Sequence, residues 1–212
     1  MKEIKVIIKN NPAYPYIVID NWYNNDEEKS IWKELDYYSS VPKDTIDRAE
    51  NTVVAHNKGI PLSKSYRYYI NKFYTDIGRS KSSIFKYMYK QRTPEFNKLI
   101  EQCLPYGRSY KHTDWSSSLI SYYEENDYYK PHYDKYMWTC LIWMIKDPNI
   151  FDGGDFKLND IDETIKVKNN RMIMFPSCYL HEATPVKFKN KINETGYGKY
   201  TITHFYSSIG TS

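Results

Sequence analysis

Long apolar runs are missing from this 212-residue chain. No stretch approaches the roughly 18 consecutive apolar residues that a membrane-spanning helix needs, so no membrane partner is expected. The start, Met1-Lys-Glu-Ile-Lys-Val-Ile-Ile-Lys-Asn10, is apolar over too short a distance for a signal peptide. Glycine is scarce, with 8 residues, and neither G-x-G-x-x-G nor G-x-x-x-x-G-K-[ST] occurs. Nucleotide-binding folds built on those loops lose their usual support. Cysteine is limited to Cys103, Cys140 and Cys178, with no C-x-x-C pair. That predicts a reduced, cytoplasmic protein and excludes a disulfide scaffold or structural zinc site. Neither sign of charge dominates: 30 Lys+Arg face 26 Asp+Glu, for a net +4. Without a localised basic face this is too mild for nucleic acid, which is not an expected partner.

Tyrosine is what the chain has in excess, with 23 residues against 8 Phe and 5 Trp. Tyr suits strands and half-buried surfaces where its hydroxyl finds a partner. Tyr, Lys, Asn and Ile are also jointly abundant, as an AT-rich genome would produce, so composition leaves both explanations standing. An apolar fraction of 41% with 26% charge supports a packed core and argues against disorder.

The pattern predicts an α+β, mainly β fold in one domain, residues 1–212, with N-terminal strands and supporting helices over 1–115 and a β core over 116–207. Glu3–Lys9 and Tyr16-Ile-Val-Ile-Asp20 read as strands. A helix is expected from about Asp26, with Glu27 and Glu28 in its first turn and Ile31, Trp32 and Leu35 as its apolar stripe. Further helices are expected over Lys81–Lys90 and, after Pro94, Glu95–Cys103. Residues 40–76 lack periodicity and read as largely irregular. Tyr66, Arg67, Tyr68, Tyr69 and Lys72 there form either a substrate-covering lid or a structural wrap. From Ser116 short strand-like runs follow one another: Ser117–Glu124, Met137–Ile145, Gly154–Leu158, Thr164–Val167, Arg171–Phe175, Leu180–Phe188 and Lys199–Ser207. Their spacing argues for an antiparallel barrel or sandwich with helices outside.

Within this β region lies His132-Tyr133-Asp134. On a strand, residues i and i+2 share a face, so imidazole and carboxylate would converge on one metal ion. A third ligand must come from elsewhere, and His181 heads another strand. Two histidines and one carboxylate on one side of a metal are the donor set of non-haem Fe(II) oxygenases. A second H-x-D, His112-Thr-Asp114, has no such frame and reads as an exposed loop. A zinc hydrolase using the same three ligands would need a base such as Glu182.

Tyr123-x8-His132-x-Asp134, Phe151-Asp-Gly-Gly-Asp-Phe156, Phe175-Pro176, His181-x3-Pro185-Val186 and Lys199-Tyr-Thr201 occur in that order. Over residues 116–207 the chain resembles the Fe(II)/2-oxoglutarate-dependent dioxygenases of the prolyl 4-hydroxylase-like branch. The resemblance implies a double-stranded β-helix (jelly-roll, cupin-like) core and iron ligands His132, Asp134 and His181. It also implies 2-oxoglutarate as cosubstrate, O2 and, as a candidate reductant, ascorbate. The family's basic residue for the far carboxylate, with Ser or Thr two residues on, matches Lys199 and Thr201. The gap from His181 is 18 residues where the family usually has about ten, so Asn190–Gly198 reads as a lengthened hairpin turned by Gly196 and Gly198. Lys191, at the nominal distance, is the second choice. Tyr123 matches the family's tyrosine upstream of the first histidine; Tyr129 is a weaker candidate. Asp134 keeps the carboxylate that related halogenases lack, which implies hydroxylation. The implied substrate is a peptidyl proline, with a free amino acid or other small molecule as the alternative. A non-catalytic metal-binding barrel is the rival from another class. Trp143 reads as barrel packing, His56 and His204 as ordinary residues, and Asp152, Asp155 and Glu182 as solvated turn and rim positions. Nothing in the sequence sets the oligomeric state.

Overall fold

A computed structural model describes residues 3–40, 56–74, 76–192 and 194–209. The N-terminal half runs β1 (Lys5–Lys9), β2 (Tyr16–Asp20), α1 (Asn25–Ser40), β3 (His56–Asn57), β4 (Ile60–Pro61), β5 (Ser63–Lys64) and β6 (Tyr66–Tyr68). Helices α2 (Ile70–Phe73), α3 (Ser83–Met88) and α4 (Pro94–Ile100) follow, with 3-10 turns between and after them. The C-terminal half is β7 (Trp115–Tyr123), β8 (Tyr128–His132), β9 (Trp138–Met144), β10 (Phe151–Gly153), β11 (Phe156–Leu158), β12 (Glu163–Ile165), β13 (Arg171–Pro176), β14 (His181–Ala183), β15 (Val186–Phe188) and β16 (Lys199–Ser207).

Two antiparallel sheets carry the molecule. The larger has the order β1-β2-β13-β9-β16-β7-β6 and the smaller β12-β11-β14-β8-β5. The strand order, with sequence neighbours exchanged between sheets, is the jelly-roll double-stranded β-helix. Period-2 alternation splits the large sheet into two faces. The even residues Ile120, Tyr122, Tyr200, Ile202 and Tyr206 join Ile31, Leu35, Ile84, Phe96 and Ile100 of the helices in the main core. The odd residues of β7 and β16 line a cavity of about 500 Å³ that also touches the smaller sheet. No helix among the described residues is long and apolar enough to cross a membrane.

Local chemistry explains the helix starts. Asn24 Oδ1 accepts from the Glu27 amide at 3.0 Å while Glu27 Oε2 accepts from the Asn24 amide at 2.9 Å, a reciprocal cap. Ser82 and Thr93 cap α3 and α4 through the amides of Phe85 and Phe96. These caps set the third-helix start at Pro94, and α3 yields to a 3-10 turn over Tyr89–Arg92, so both helices are shorter than their periodicity predicts.

Three other expectations are corrected. Residues 63–68 are not irregular: β6 is an edge strand paired to β7, and Tyr66 and Tyr68 are core residues. A Tyr-Arg-Tyr run hides its period because its cavity-facing residue is a cation. Residues 41–55 of the expected lid or wrap lie outside the described residues. Leu180–Phe188 is not one strand: β14 joins the small sheet and β15 pairs with β10. Pro185, with no amide hydrogen, separates them. Asp155 is buried, not solvated: it accepts from Lys166 Nζ at 2.7 Å and from the Val167 amide at 2.9 Å.

Asp20, buried at the end of β2, accepts from Arg171 Nε at 2.5 Å, Arg171 Nη2 at 3.0 Å and Lys168 Nζ at 2.9 Å. The Arg171 guanidinium, helped by Lys168 and opposed by burial, holds its carboxyl at about 2, below the usual 3.8. A depressed carboxyl stabilises the fold fully above its unfolded value and loses that contribution as pH falls through about 2. Asp20→Asn is expected to cost about 2 kcal/mol at neutral pH by urea unfolding, and the difference from the parent should shrink below about pH 4. An equal deficit at pH 3 and pH 7 would show that charge is not the cause.

Candidate active site

His132 closes β8, and His181 opens β14 directly opposite it in the register. The cross-strand pairing sets the two rings 4.3 Å apart by centroid. The strand ends at His132, so Asp134 does not reach the site by regular alternation, as the triplet suggests. Instead the Asp134 amide donates to the Ser177 carbonyl at 3.1 Å, tethering the residue to the turn before β14. His132, Asp134 and His181 nevertheless bring one donor atom each to within 4.8 Å of one another. His132 Nε2 is 3.7 Å from Asp134 Oδ1, and His181 Nε2 is 3.5 Å from Asp134 Oδ2.

The donor set fits a divalent metal. His132 Nδ1 lies 2.8 Å from the Lys130 carbonyl and His181 Nδ1 lies 2.9 Å from the Tyr179 carbonyl. A carbonyl only accepts, so each Nδ1 carries hydrogen and each Nε2 presents its lone pair to the site. Burial, with His181 alongside, drives His132 down to about 2, so it is neutral at working pH. Two lone pairs and a carboxylate facing one another repel, and a cation between them reverses that sign. The carboxylate is aimed by Thr139 Oγ1, which donates to Asp134 Oδ2 at 2.7 Å and is itself 2.8 Å from Ser177 Oγ. Thr139 and Ser177 carry no sequence signal; only the β9–β13 pairing brings them beside Asp134.

The same cavity holds Lys199, Thr201 and Tyr123. Lys199 pairs with Tyr123 across β16 and β7, and Thr201 with Ser121. Lys199 is 1% exposed, with Nζ 2.7 Å from the Gly154 carbonyl and 4.2 Å above the Tyr123 ring. Burial lowers its ammonium to about 7, against a smaller opposing pull from Asp155. Thr201 Oγ1 is buried and has no hydrogen-bond partner among the described residues. A buried cation beside an unsatisfied hydroxyl is a seat for a carboxylate. Burial pushes the Tyr123 phenol up to about 12, so it remains a donor. Gly196 takes φ +90°, as a turn glycine does, whereas Gly198 is needed for contact: a Cβ there would run into the Tyr123 carbonyl. Lys191 is exposed and lines a different pocket, away from the metal ligands.

Residues 118–207 match the family model described as 2OG-Fe(II) oxygenase superfamily. Solved structures agree in fold. A Pseudomonas putida prolyl-4-hydroxylase is 12% identical with a TM-score of 0.60, over 92% of this chain and 93% of that one. A viral collagen prolyl hydroxylase from Paramecium Bursaria Chlorella virus-1, solved with 2OG, is 15% identical with a TM-score of 0.56, over 92% and 96%. A 2OG-Fe(II) oxygenase-family oxidoreductase from Burkholderia pseudomallei is 11% identical with a TM-score of 0.55, over 91% and 85%. No curated protein sequence matches the chain.

The remaining candidates find their places around this cavity. Tyr129 stacks on His132, with centroids 3.4 Å apart and planes 9° from parallel, so it buttresses the His132 ring. Trp143 is buried and also lines the cavity. Glu182 lines the cavity, and its Oε1 accepts from Asn159 Nδ2 at 2.8 Å. His112 and Asp114 are exposed, and Asp114 Oδ1 accepts from the Ile209 amide at 2.7 Å. His204 is buried with Nδ1 2.7 Å from Ser118 Oγ, on the even face away from the cavity lining. Asp152 is exposed and pairs with Lys189.

Proposed function

We propose that the protein is an Fe(II)- and 2-oxoglutarate-dependent hydroxylase of an unactivated C–H bond, with peptidyl proline the first substrate to test. The observation that carries this reading is one cavity bearing His132, Asp134 and His181 together with the buried Lys199–Thr201 pair. His132, Asp134 and His181 would hold Fe(II), a facial set that leaves adjacent positions for small molecules. When bound, iron and 2-oxoglutarate supply the oxidising power of O2, with carbon dioxide and succinate released and a hydroxyl left on the substrate.

The chain's own side chains do the rest. Thr139 holds the Asp134 carboxylate in its orientation, and the Lys130 and Tyr179 carbonyls hold the two imidazoles. Lys199 takes the far carboxylate of 2-oxoglutarate by charge, and Thr201 Oγ1 and the Tyr123 phenol add hydrogen bonds. Trp143 and Phe156 wall the cavity and exclude water. Tyr69, Tyr133, Tyr136 and Phe205 also line it, offering aromatic surface to a prolyl group. The proline assignment is further supported by the names of two structural neighbours. The chain acts as one domain in this reading, since β1, β2 and β6 share a sheet with the core strands. Its setting is a reducing cytoplasm, where Cys103, Cys140 and Cys178 stay free, and ascorbate is the reductant to supply.

Anaerobic addition of Fe(II) and 2-oxoglutarate is expected to raise a weak visible charge-transfer band. Succinate release should then follow when proline-containing peptides are added, compared with free amino acids and oligonucleotides. The reading fails if no band forms and His132→Ala binds 2-oxoglutarate as the parent does.

A further inference from the structure

A second buried cation reaches the cavity. Arg67 is the middle residue of β6, all of whose residues are buried. Alternation turns Tyr66 and Tyr68 to the helical core and Arg67 to the cavity lining. It is 5% exposed. Among the described residues its guanidinium meets only neutral groups: Nη2 donates to Ser63 Oγ at 2.7 Å, Nε to Ser65 Oγ at 3.4 Å, and Cζ lies 4.8 Å from the Tyr129 ring centroid. No carboxylate pairs with it among the described residues. Arg171, by contrast, spends its fork on Asp20. A guanidinium has five N–H donors, so most of this one's capacity is unspent, in a place where an unpaired charge is costly.

Arg67 is set apart from the Lys199 seat. Arg67 pairs with Ser121 on β7, and Ser121 pairs with Thr201 on β16. Two strand spacings, about 10 Å, therefore separate Arg67 from Thr201 along the sheet. Arg67 lies instead beside Tyr129, which covers His132. One cation thus stands at the Thr201 end and the other flanks the metal ligands. The far carboxylate of 2-oxoglutarate is matched by Lys199, and its other carboxylate belongs at the metal. A third anion-binding position remains.

We propose that Arg67 binds a carboxylate of the substrate itself, so that the molecule hydroxylated is an acid. The inference rests on the proposed hydroxylase function. The Ser63 and Ser65 hydroxyls and the Tyr129 ring hold the guanidinium plane, and a planar fork suits a bidentate carboxylate. The group has two chemical sources: a small free acid such as an amino acid, or an acidic residue carried by a peptide beside its target.

Calorimetry on protein loaded with Mn(II) and 2-oxoglutarate separates them. One panel compares N-acetyl amino acids, proline among them, with their primary amides. The other compares capped proline peptides bearing Asp or Glu beside the proline with their Asn or Gln counterparts. At least one acid is expected to bind about tenfold more tightly than its amide. The panel in which this occurs identifies the source. Arg67→Gln should reduce that preference to near unity, and Arg67→Lys, which keeps charge without the fork, should retain part of it. The inference is overturned if neither panel shows an acid preference, or if the preference survives intact in Arg67→Gln. It is equally overturned if Arg67→Gln weakens 2-oxoglutarate as much as the acid, which would place Arg67 on the cosubstrate. The Fe(II) charge-transfer band keeps the two levels distinct. A band without acid preference removes the Arg67 assignment alone, and absence of the band together with parent-like 2-oxoglutarate binding by His132→Ala removes the hydroxylase reading beneath it.

Discussion

Asp134→Ala is expected to abolish Fe(II) binding and, with it, all succinate release. Asp134 contributes the carboxylate among three donor groups, and the two imidazoles beside it, held at Nδ1, turn Nε2 to the site. Deleting it leaves two ligands and exposes Thr139 Oγ1, which has lost its acceptor. Loss of a group that merely orients a ligand costs about 10–100-fold in metal affinity, so loss of the ligand itself should exceed that. Asp134→Asn separates charge from shape, because its amide oxygen still accepts from Thr139 while the negative charge is gone. It should fall nearly as far as alanine if charge dominates. Thr139→Val keeps the carboxylate but frees its orientation, and belongs in the 10–100-fold range. Anaerobic Fe(II) titration followed by calorimetry orders the three. Parent-like affinity in Asp134→Ala would exclude this residue as a ligand and move the metal elsewhere.

Lys199→Met should weaken 2-oxoglutarate by about ten- to a hundredfold, the worth of a hydrogen bond to a charged partner in a buried site. The pH dependence gives the sharper test. Only the ammonium form attracts a carboxylate, and burial has brought Lys199 down to about 7. Below pH 7 the cation is present and affinity for 2-oxoglutarate should be level. Above pH 7 the free protein must first gain a proton, so affinity should fall by up to tenfold per pH unit until the ligand-raised value is reached. In Lys199→Met that slope should vanish along with the affinity. Binding curves from pH 6 to pH 9 decide the matter. A flat parent profile and an unchanged dissociation constant in the methionine variant would remove Lys199 from the site.

The short-range signals were legible in the chain where chemistry is local. Asp26, Glu27 and Glu28 mark the start of α1, and the β-branched Tyr16–Asp20 run marks β2. The alternation of Lys199–Ser207 marks β16, whose odd residues line the cavity as Lys199-Tyr-Thr201 suggests. Illegible were features whose partners lie far along the chain. Residues 63–68 become β5 and β6 only through β8 and β7, roughly 60 residues later. Asp155 is buried because Lys166 and the Val167 amide satisfy it. Asp134 lies past the end of its strand, and its position follows from the Ser177 carbonyl and Thr139 hydroxyl.

Residue types and spacing by themselves pointed to two histidines and an aspartate as one donor set, and the family resemblance added a lysine and threonine two apart on one strand. They also determined that the C-terminal half is β-rich, because period-2 patterning is a property of neighbours in sequence. Only the tertiary structure decided which donors meet. The antiparallel register sets His132 against His181, the jelly-roll sheets enclose Lys199 and Thr201 in the same cavity, and β6 delivers Arg67 to it. Convergence depends on hydrogen-bonded pairing between distant segments, and no pattern along a single strand records its partner.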